Sequence, residues 1–250
     1  MAILRFKGDR LRGTLGVLAV LAVAAGVGRA AWRIRQSLGL MRESRPLQAF
    51  PPGATARLLI VGDSTAVGTG ASCAANSLAG LIARRHPHLA IVNRGVDGAR
   101  FADIARQLDR REQFDAILVL GGGNDVMRMT GRQALAHSIA KAVELARAQA
   151  RQVMVMPPGN VGNAPFLFAP LTWMMARRTK FLHDLVRQAA DACGAVYVNL
   201  YYDKADDPFA QRPDEYIAAD GLHPSDAGYR IWYDALNTQA GLANRLTAVR

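Results

Sequence analysis

Five short apolar runs, spread over residues 57–250, constrain the fold of this chain more than any other feature. Each has four or five consecutive apolar residues and no polar alternation, at 58–61, 89–92, 116–120, 153–156 and 195–198. A strand shows this pattern when helices cover both of its faces. Helical stretches separate and follow the runs, near 74–85, 101–111, 131–150, 172–192 and 225–243. The series predicts a three-layer α/β/α sandwich around a parallel five-stranded sheet, with right-handed crossovers.

The positive charge of the chain is unevenly distributed. Of the formal net charge of +11, residues 1–45 contribute +7 and the remaining residues only +4. The Arg residues of that larger part are scattered and do not alternate with aromatic residues, so the pattern does not predict nucleic-acid binding. The two cysteines, Cys73 and Cys193, lie in no Cys/His cluster suited to zinc, and we expect no metal.

An uncharged run at residues 13–28 predicts a hydrophobic helix near the N-terminus. As a helix, these 16 residues would span about 24 Å, which is short of the roughly 30 Å hydrocarbon core of a membrane. The usable stretch reaches Ala31 if Arg29 extends to the headgroups and Trp32 lies in the interface. We therefore expect a single membrane anchor, uncleaved, with the following domain on the periplasmic side.

A cleaved signal peptide is the alternative for the same segment, because Ala22-Val23-Ala24 forms a small-x-small cleavage site after a basic start and an apolar run. Secretion after cleavage would then replace anchoring. Basic residues flank the run almost equally, so the orientation rests on the signal-like start alone. The predicted organisation is an anchor or signal segment, a linker rich in Pro and a globular domain, at residues 1–33, 34–56 and 57–250.

Four short polar motifs follow predicted strands or precede the last helix. They are Gly62-Asp63-Ser64, the segment from Asn93 to Gly98, Gly122-Gly123-Asn124-Asp125, and Asp220-Gly221-Leu222-His223-Pro224. Ligands of open parallel sheets bind at the carboxyl ends of the strands, so all four motifs are expected at one edge of the sheet.

The chemistry that these motifs support is acyl transfer. A serine in a tight turn between strand and helix exposes its hydroxyl, and His223 can accept the proton of Ser64 while Asp220 orients the imidazole. The tetrahedral intermediate needs hydrogen-bond donors for its oxyanion. The backbone N–H groups of Ser64 and Gly98 and the side-chain amide of Asn124 are the candidates, with Gly95 as an alternative to Gly98.

At these residues the sequence resembles the SGNH/GDSL hydrolase family, the GDSL-type lipases and esterases. The four motifs occur in the family's order, over about residues 57–243, although Thr65 stands where many members have Leu. The resemblance implies a flavodoxin-like fold, hydrolysis of carboxylic acyl esters of lipid or small-molecule type, and no cofactor. Two other functions stay open: removal of O-acetyl groups from envelope carbohydrate, and binding of an acyl ligand by an anchored protein that is not an enzyme.

The segment from Phe166 to Met175 has two interpretations. Its aromatic and Met side chains precede the basic residues Arg177, Arg178 and Lys180, a pattern that suits an acyl-binding wall or a lid at a membrane. The same side chains could instead belong to the core.

Overall fold

The computed structural model describes residue 26, residues 28–109 and residues 112–242. These residues contain five strands: β1 (Ala56–Gly62), β2 (Leu89–Asn93), β3 (Phe114–Leu120), β4 (Ala150–Met156) and β5 (Val196–Tyr197). Each strand overlaps one of the predicted apolar runs. The strands pair in parallel in the order β2-β1-β3-β4-β5, which is the flavodoxin-like order. The predicted parallel five-stranded sheet is confirmed.

Ten helices are described alongside the strands. They are α1 (28–43), α2 (Ser64–Val67), α3 (Leu78–Arg85), α4 (Phe101–Gln107), α5 (Gly123–Met127), α6 (Arg132–Gln149), α7 (Leu171–Cys193), α8 (Pro208–Gln211), α9 (Pro213–Tyr216) and α10 (Asp226–Ala240). The predicted helical stretches correspond to α3, α4, α6, α7 and α10. The other helices are α1 and four short helices of four or five residues, α2, α5, α8 and α9.

The core lies on both faces of the sheet, which explains why the strands lack polar alternation. In β1, Leu58 and Ile60 pack with side chains of α3 and α10. Leu59 and Val61 belong to the opposite core, with side chains of α4, α6 and α7. All four side chains are inaccessible to solvent. The molecule therefore has the predicted three layers, with α3 and α10 on one face and α4, α6 and α7 on the other.

Polar caps and glycines define the ends of the long helices. The Ser77 hydroxyl accepts a hydrogen bond from the Gly80 N–H at the start of α3, and Ser225 caps α10 in the same way. Helix α7 ends at Gly194, where φ is +64°, a conformation that favours glycine.

In the N-terminal part of the described chain, helix α1 extends into the segment predicted as a linker. Most of the hydrophobic helix expected within residues 1–33 lies outside the described residues, and no helix among those described is long and apolar enough to cross a membrane. The segment predicted as a linker, residues 34–56, is helical as far as residue 43. Beyond α1, Ala49 forms an antiparallel bridge with Ile91 of β2, so this segment covers part of the sheet edge.

Candidate active site

Ser64 lies at the sharp turn between β1 and α2. Asp63 precedes it and accepts hydrogen bonds from the Thr65 N–H at 2.9 Å and from the Thr65 hydroxyl at 2.8 Å. A Cβ at Gly62 would collide with the Leu120 carbonyl of β3, so the chain needs glycine at this point. The turn places Ser64 as the first residue of α2, at the carboxyl edge of the sheet.

The structure brings the predicted Ser, His and Asp into one hydrogen-bonded series. Ser64 Oγ lies 2.9 Å from His223 Nε2, although the two residues are 159 positions apart in sequence. His223 Nδ1 lies 2.6 Å from Asp220 Oδ2. The other carboxylate oxygen of Asp220 accepts hydrogen bonds from the backbone N–H groups of Leu222 and His223, at 3.0 and 3.1 Å.

The environment of Asp220 keeps its carboxylate ionised. Burial alone would raise the pKa of Asp220, but the hydrogen bond and charge of His223 and the two backbone N–H groups outweigh burial and lower this pKa. An ionised carboxylate at this position favours the imidazole tautomer with a proton on Nδ1. His223 Nε2 is then free to accept a hydrogen bond from the Ser64 hydroxyl.

Three N–H groups near Ser64 are available to a ligand oxygen. Ser64, Gly98 and Asn124 line the same cavity. Within the described part of the chain, the backbone N–H groups of Ser64 and Gly98 donate to no protein acceptor. The Asn124 amide donates one N–H to the Ala99 carbonyl at 3.2 Å and has a second N–H to offer. An oxyanion needs donors of this kind.

Gly95, the alternative to Gly98, lies beneath the site. Its N–H donates to Asn93 Oδ1 at 2.9 Å, and a Cβ there would lie 2.8 Å from the Ala66 Cβ. Gly98 instead occupies a turn with φ of +76° and faces the cavity. Gly95 therefore permits close packing against α2, and Gly98 lines the cavity.

Two buried carboxylates hold the loops around these donors. Burial raises the pKa of both Asp63 and Asp125, while hydrogen bonds from Thr65 and from the Phe101 N–H act in the opposite direction. Asp125 accepts the Phe101 N–H at 2.9 Å and so links α5 to α4. Thr65 donates to Asp63 with its side chain, which a leucine at that position could not do.

The cavity beside Ser64 has a volume of about 580 Å³. One wall comes from α1, through Ile34, Ser37, Leu38 and Met41. This wall was not predicted from the sequence, although a spacing of three and four residues between these positions is typical of one helix face. Asp207 was not predicted either; it is a buried residue in the lining that accepts a hydrogen bond from Asn163 at 2.7 Å.

The segment from Phe166 to Met175 was predicted to form either an acyl-binding wall or lid, or part of the core. Its residues lie in different environments. Phe166 lines the cavity. Phe168 and Trp173 are 59% and 65% exposed and do not line it. Met175 is buried in the core that includes α4, α6 and α7. Only the start of the segment is therefore part of the cavity wall.

His183 supports the cavity from behind. Its Nε2–H donates to the Pro158 carbonyl at 2.8 Å, and its Nδ1 lies 2.7 Å from the Tyr197 hydroxyl oxygen. Burial lowers the pKa of His183 to about 4. Pro158 lines the cavity, so this neutral histidine fixes part of its wall. Among the residues that the structure describes, no group of three His, Cys, Asp or Glu side chains could hold a metal ion.

The residues of this site lie within a part of the chain that matches a known protein family. The model of the GDSL-like Lipase/Acylhydrolase family matches residues 60–231, which include Ser64, Gly98, Asn124, Asp220 and His223. The chain belongs to this family. The resemblance noted in the sequence is thus confirmed for the greater part of the chain.

Individual proteins of this type share modest identity with the chain. A GDSL-like esterase of Mycobacterium tuberculosis is 28% identical over 188 residues, which cover 72% of this chain and 60% of that protein. This chain therefore covers less than two thirds of the length of that relative.

Solved structures share the fold of this family member. An α/β hydrolase from the metagenome of Lake Arreo, Spain, is 21% identical, with a TM-score of 0.59, and the match covers 77% of this chain and 97% of that one. A lipase/acylhydrolase from Enterococcus faecalis is 22% identical, with a TM-score of 0.58 and coverage of 73% and 93%. A catalytic mutant of an acetylxylan esterase from Geobacillus stearothermophilus is 19% identical, with a TM-score of 0.56 and coverage of 77% and 97%.

Proposed function

We propose that this protein is a serine hydrolase of carboxylic acyl esters. The observation that carries the proposal is the series Ser64–His223–Asp220, joined at 2.9 and 2.6 Å beside an open cavity. Membership of the lipase/acylhydrolase family supports the same reaction class.

In the first half of the reaction, Ser64 Oγ attacks the carbonyl carbon of the ester. His223 Nε2 takes the hydroxyl proton, and Asp220 stabilises the imidazolium that forms. The carbonyl oxygen of the ester becomes an oxyanion that accepts hydrogen bonds from the N–H groups of Ser64, Gly98 and Asn124. His223 then returns the proton to the leaving alcohol, and the acyl group stays on Ser64.

The second half repeats the same steps with water in place of the serine hydroxyl. His223 removes a proton from water, the hydroxide attacks the acyl carbon, and the proton returns to Ser64 as the carboxylic acid leaves. The chain's own residues supply every group that these steps use, so the proposed mechanism has no cofactor.

Replacing the nucleophile tests this proposal. We expect Ser64→Ala to abolish hydrolysis of p-nitrophenyl acetate and to leave the circular dichroism spectrum unchanged, because a small hydroxyl carries the chemistry and contributes little packing. Ser72→Ala is a matched control, since Ser72 is exposed and does not line the cavity. Turnover by a clean preparation of Ser64→Ala would reject the assignment.

We also propose that the apolar run of residues 13–28 anchors the protein in a membrane, with the hydrolase domain on the periplasmic side. The support is the sequence of the run and its basic flanks. The full chain should then remain with membranes after a high-salt wash, with an intact mass that includes Met1. A chain that begins at Ala25 and is recovered in the soluble fraction would instead establish a cleaved signal peptide.

A further inference from the structure

Helix α1 is held against the loop that carries Asp220 and His223. Arg33 Nη1 donates to the Asp220 carbonyl at 3.4 Å. The Arg33 guanidinium also occupies the space that a side chain at Gly221 would need. From another direction, the Phe166 N–H donates to the Gly221 carbonyl at 2.9 Å. The loop thus has a contact with α1 as well as with the segment that begins at Phe166.

One face of α1 is turned to the catalytic cavity. Ile34, Ser37, Leu38 and Met41 line it, and their spacing places them on adjacent turns of one helix face. Trp32 is 54% exposed and does not line the cavity. The orientation of α1 therefore directs apolar side chains towards the space beside Ser64.

The apolar side chains on this face remain incompletely covered. Ile34 is 49% exposed and Leu38 is 47% exposed, although both belong to a cavity wall. Val161 and Phe166 also line the cavity, so apolar surface comes from more than one element. A flexible hydrocarbon chain would bury this surface, and each CH₂ removed from water would favour its binding.

The size of the cavity favours a chain longer than acetyl. An acetyl group carries a single methyl beyond its carbonyl carbon and would fill a small part of about 580 Å³. Contact with the apolar side chains of α1 would therefore add little to the binding of an acetyl group. A longer acyl chain could extend from a carbonyl at Ser64 along the apolar lining of the same cavity.

We propose that α1 forms one wall of a binding site for an aliphatic acyl chain, and that Ile34 and Leu38 determine the preference of the enzyme for chains longer than acetyl. This inference rests on the proposed esterase function. It assigns a substrate-binding role to a segment that precedes the matched family region, residues 60–231.

The test compares p-nitrophenyl octanoate with p-nitrophenyl acetate on the full chain. For wild type, kcat/KM should be higher for the octanoate. Leu38→Ala should lower the octanoate-to-acetate ratio of kcat/KM by about 10- to 100-fold, because up to three carbons of contact with the longer chain are lost. Leu38→Gln should lower the ratio as well. Because this variant keeps the side-chain length and the helix propensity, it tests the inference even if the alanine variant folds poorly.

Trp32→Ala is the matched control on the same helix and should change the ratio by less than about twofold. A wild-type enzyme that prefers acetate, or a ratio that neither Leu38 variant changes, would overturn the inference while leaving the esterase function intact. If wild type hydrolyses neither ester, the proposed function itself fails, and this inference with it.

Discussion

At the scale of single residues, Asn124 offers the most specific test of transition-state stabilisation. In the proposed mechanism its second N–H donates to the oxyanion, a charge that is absent from the bound ester. We expect Asn124→Ala to lower kcat by about 10²- to 10³-fold with a smaller effect on KM, because the lost hydrogen bond acts in the transition state. Steady-state kinetics with a soluble ester give both constants. A loss confined to KM would assign Asn124 to substrate positioning instead.

The buried His183 makes the stability of the protein depend on pH. Its pKa of about 4 in the folded chain lies below the ordinary value of 6.5, so between these pH values the unfolded chain binds a proton that the folded chain does not. Stability contributed by neutral His183 is therefore lost as the pH falls through this window. From pH 7 to pH 5, the loss attributable to His183 is about 2 kcal/mol.

The matched variant for this prediction is His183→Gln, whose amide can still donate to the Pro158 carbonyl. Buried carboxylates with raised pKa values, Asp63, Asp125 and Asp207, change stability in the opposite direction on acidification. Wild type and His183→Gln both contain these carboxylates, so their contributions to stability cancel when the losses of the two proteins are compared. Urea unfolding at the two pH values should show a loss that is larger for wild type; equal losses would contradict the assignment to His183.

Motif spacing was sufficient to predict the side chains that meet at the site, but it could not predict their supports. Ser64, Asp220 and His223 were identifiable because acyl transfer requires these residue types, and their motifs follow a predicted strand or precede the last predicted helix. Arg33 gave no such signal, since its contact with Asp220 joins residues 187 positions apart and uses a backbone carbonyl. Contacts of this kind carry no residue pattern in the sequence.

At the scale of elements, α7 contains a pair of side chains with opposite environments two residues apart. Trp173 is 65% exposed and lies beside Arg177, whereas Met175 is 4% exposed in the core. We expect Trp173→Ala to lower the free energy of unfolding by less than about 1 kcal/mol, and Met175→Ala to lower it by about 2–5 kcal/mol. Urea unfolding followed by circular dichroism measures both. Similar losses for the two variants would show that Trp173 is packed.

Elements buried on both sides were the easiest to predict, and α1 was the hardest. Strands β1 and β3 are apolar along most of their length because each face meets a helix layer. Helix α1 instead contributes a narrow apolar face among basic and polar residues, and much of that face covers a cavity rather than a packed core. Its spacing is that of a helix face, but the Pro-rich residues that follow it favoured a linker.

At the scale of the whole molecule, strand order explains how distant motifs form one site. Because β1 lies between β2 and β3, the loops that follow these three strands meet at one edge and bring Ser64, Gly98 and Asn124 together. Helix α10 packs on the same face as α3, and the loop before it delivers His223 to Ser64. The sequence predicted a parallel sheet and hence a shared edge, but it did not predict which strands lie beside β1. The structure shows that these are β2 and β3.

The most direct test of the central claim, that Ser64 is an activated nucleophile, is covalent labelling of the full chain with a fluorophosphonate. Such a reagent bonds to a serine whose hydroxyl is deprotonated by a neighbouring base. We predict one adduct per chain by intact mass, located by peptide mapping on Ser64, with ester hydrolysis lost in proportion to labelling and no adduct in Ser64→Ala. An adduct on another residue that accompanies the loss of activity, or full hydrolysis by the chain labelled at Ser64, would contradict the account.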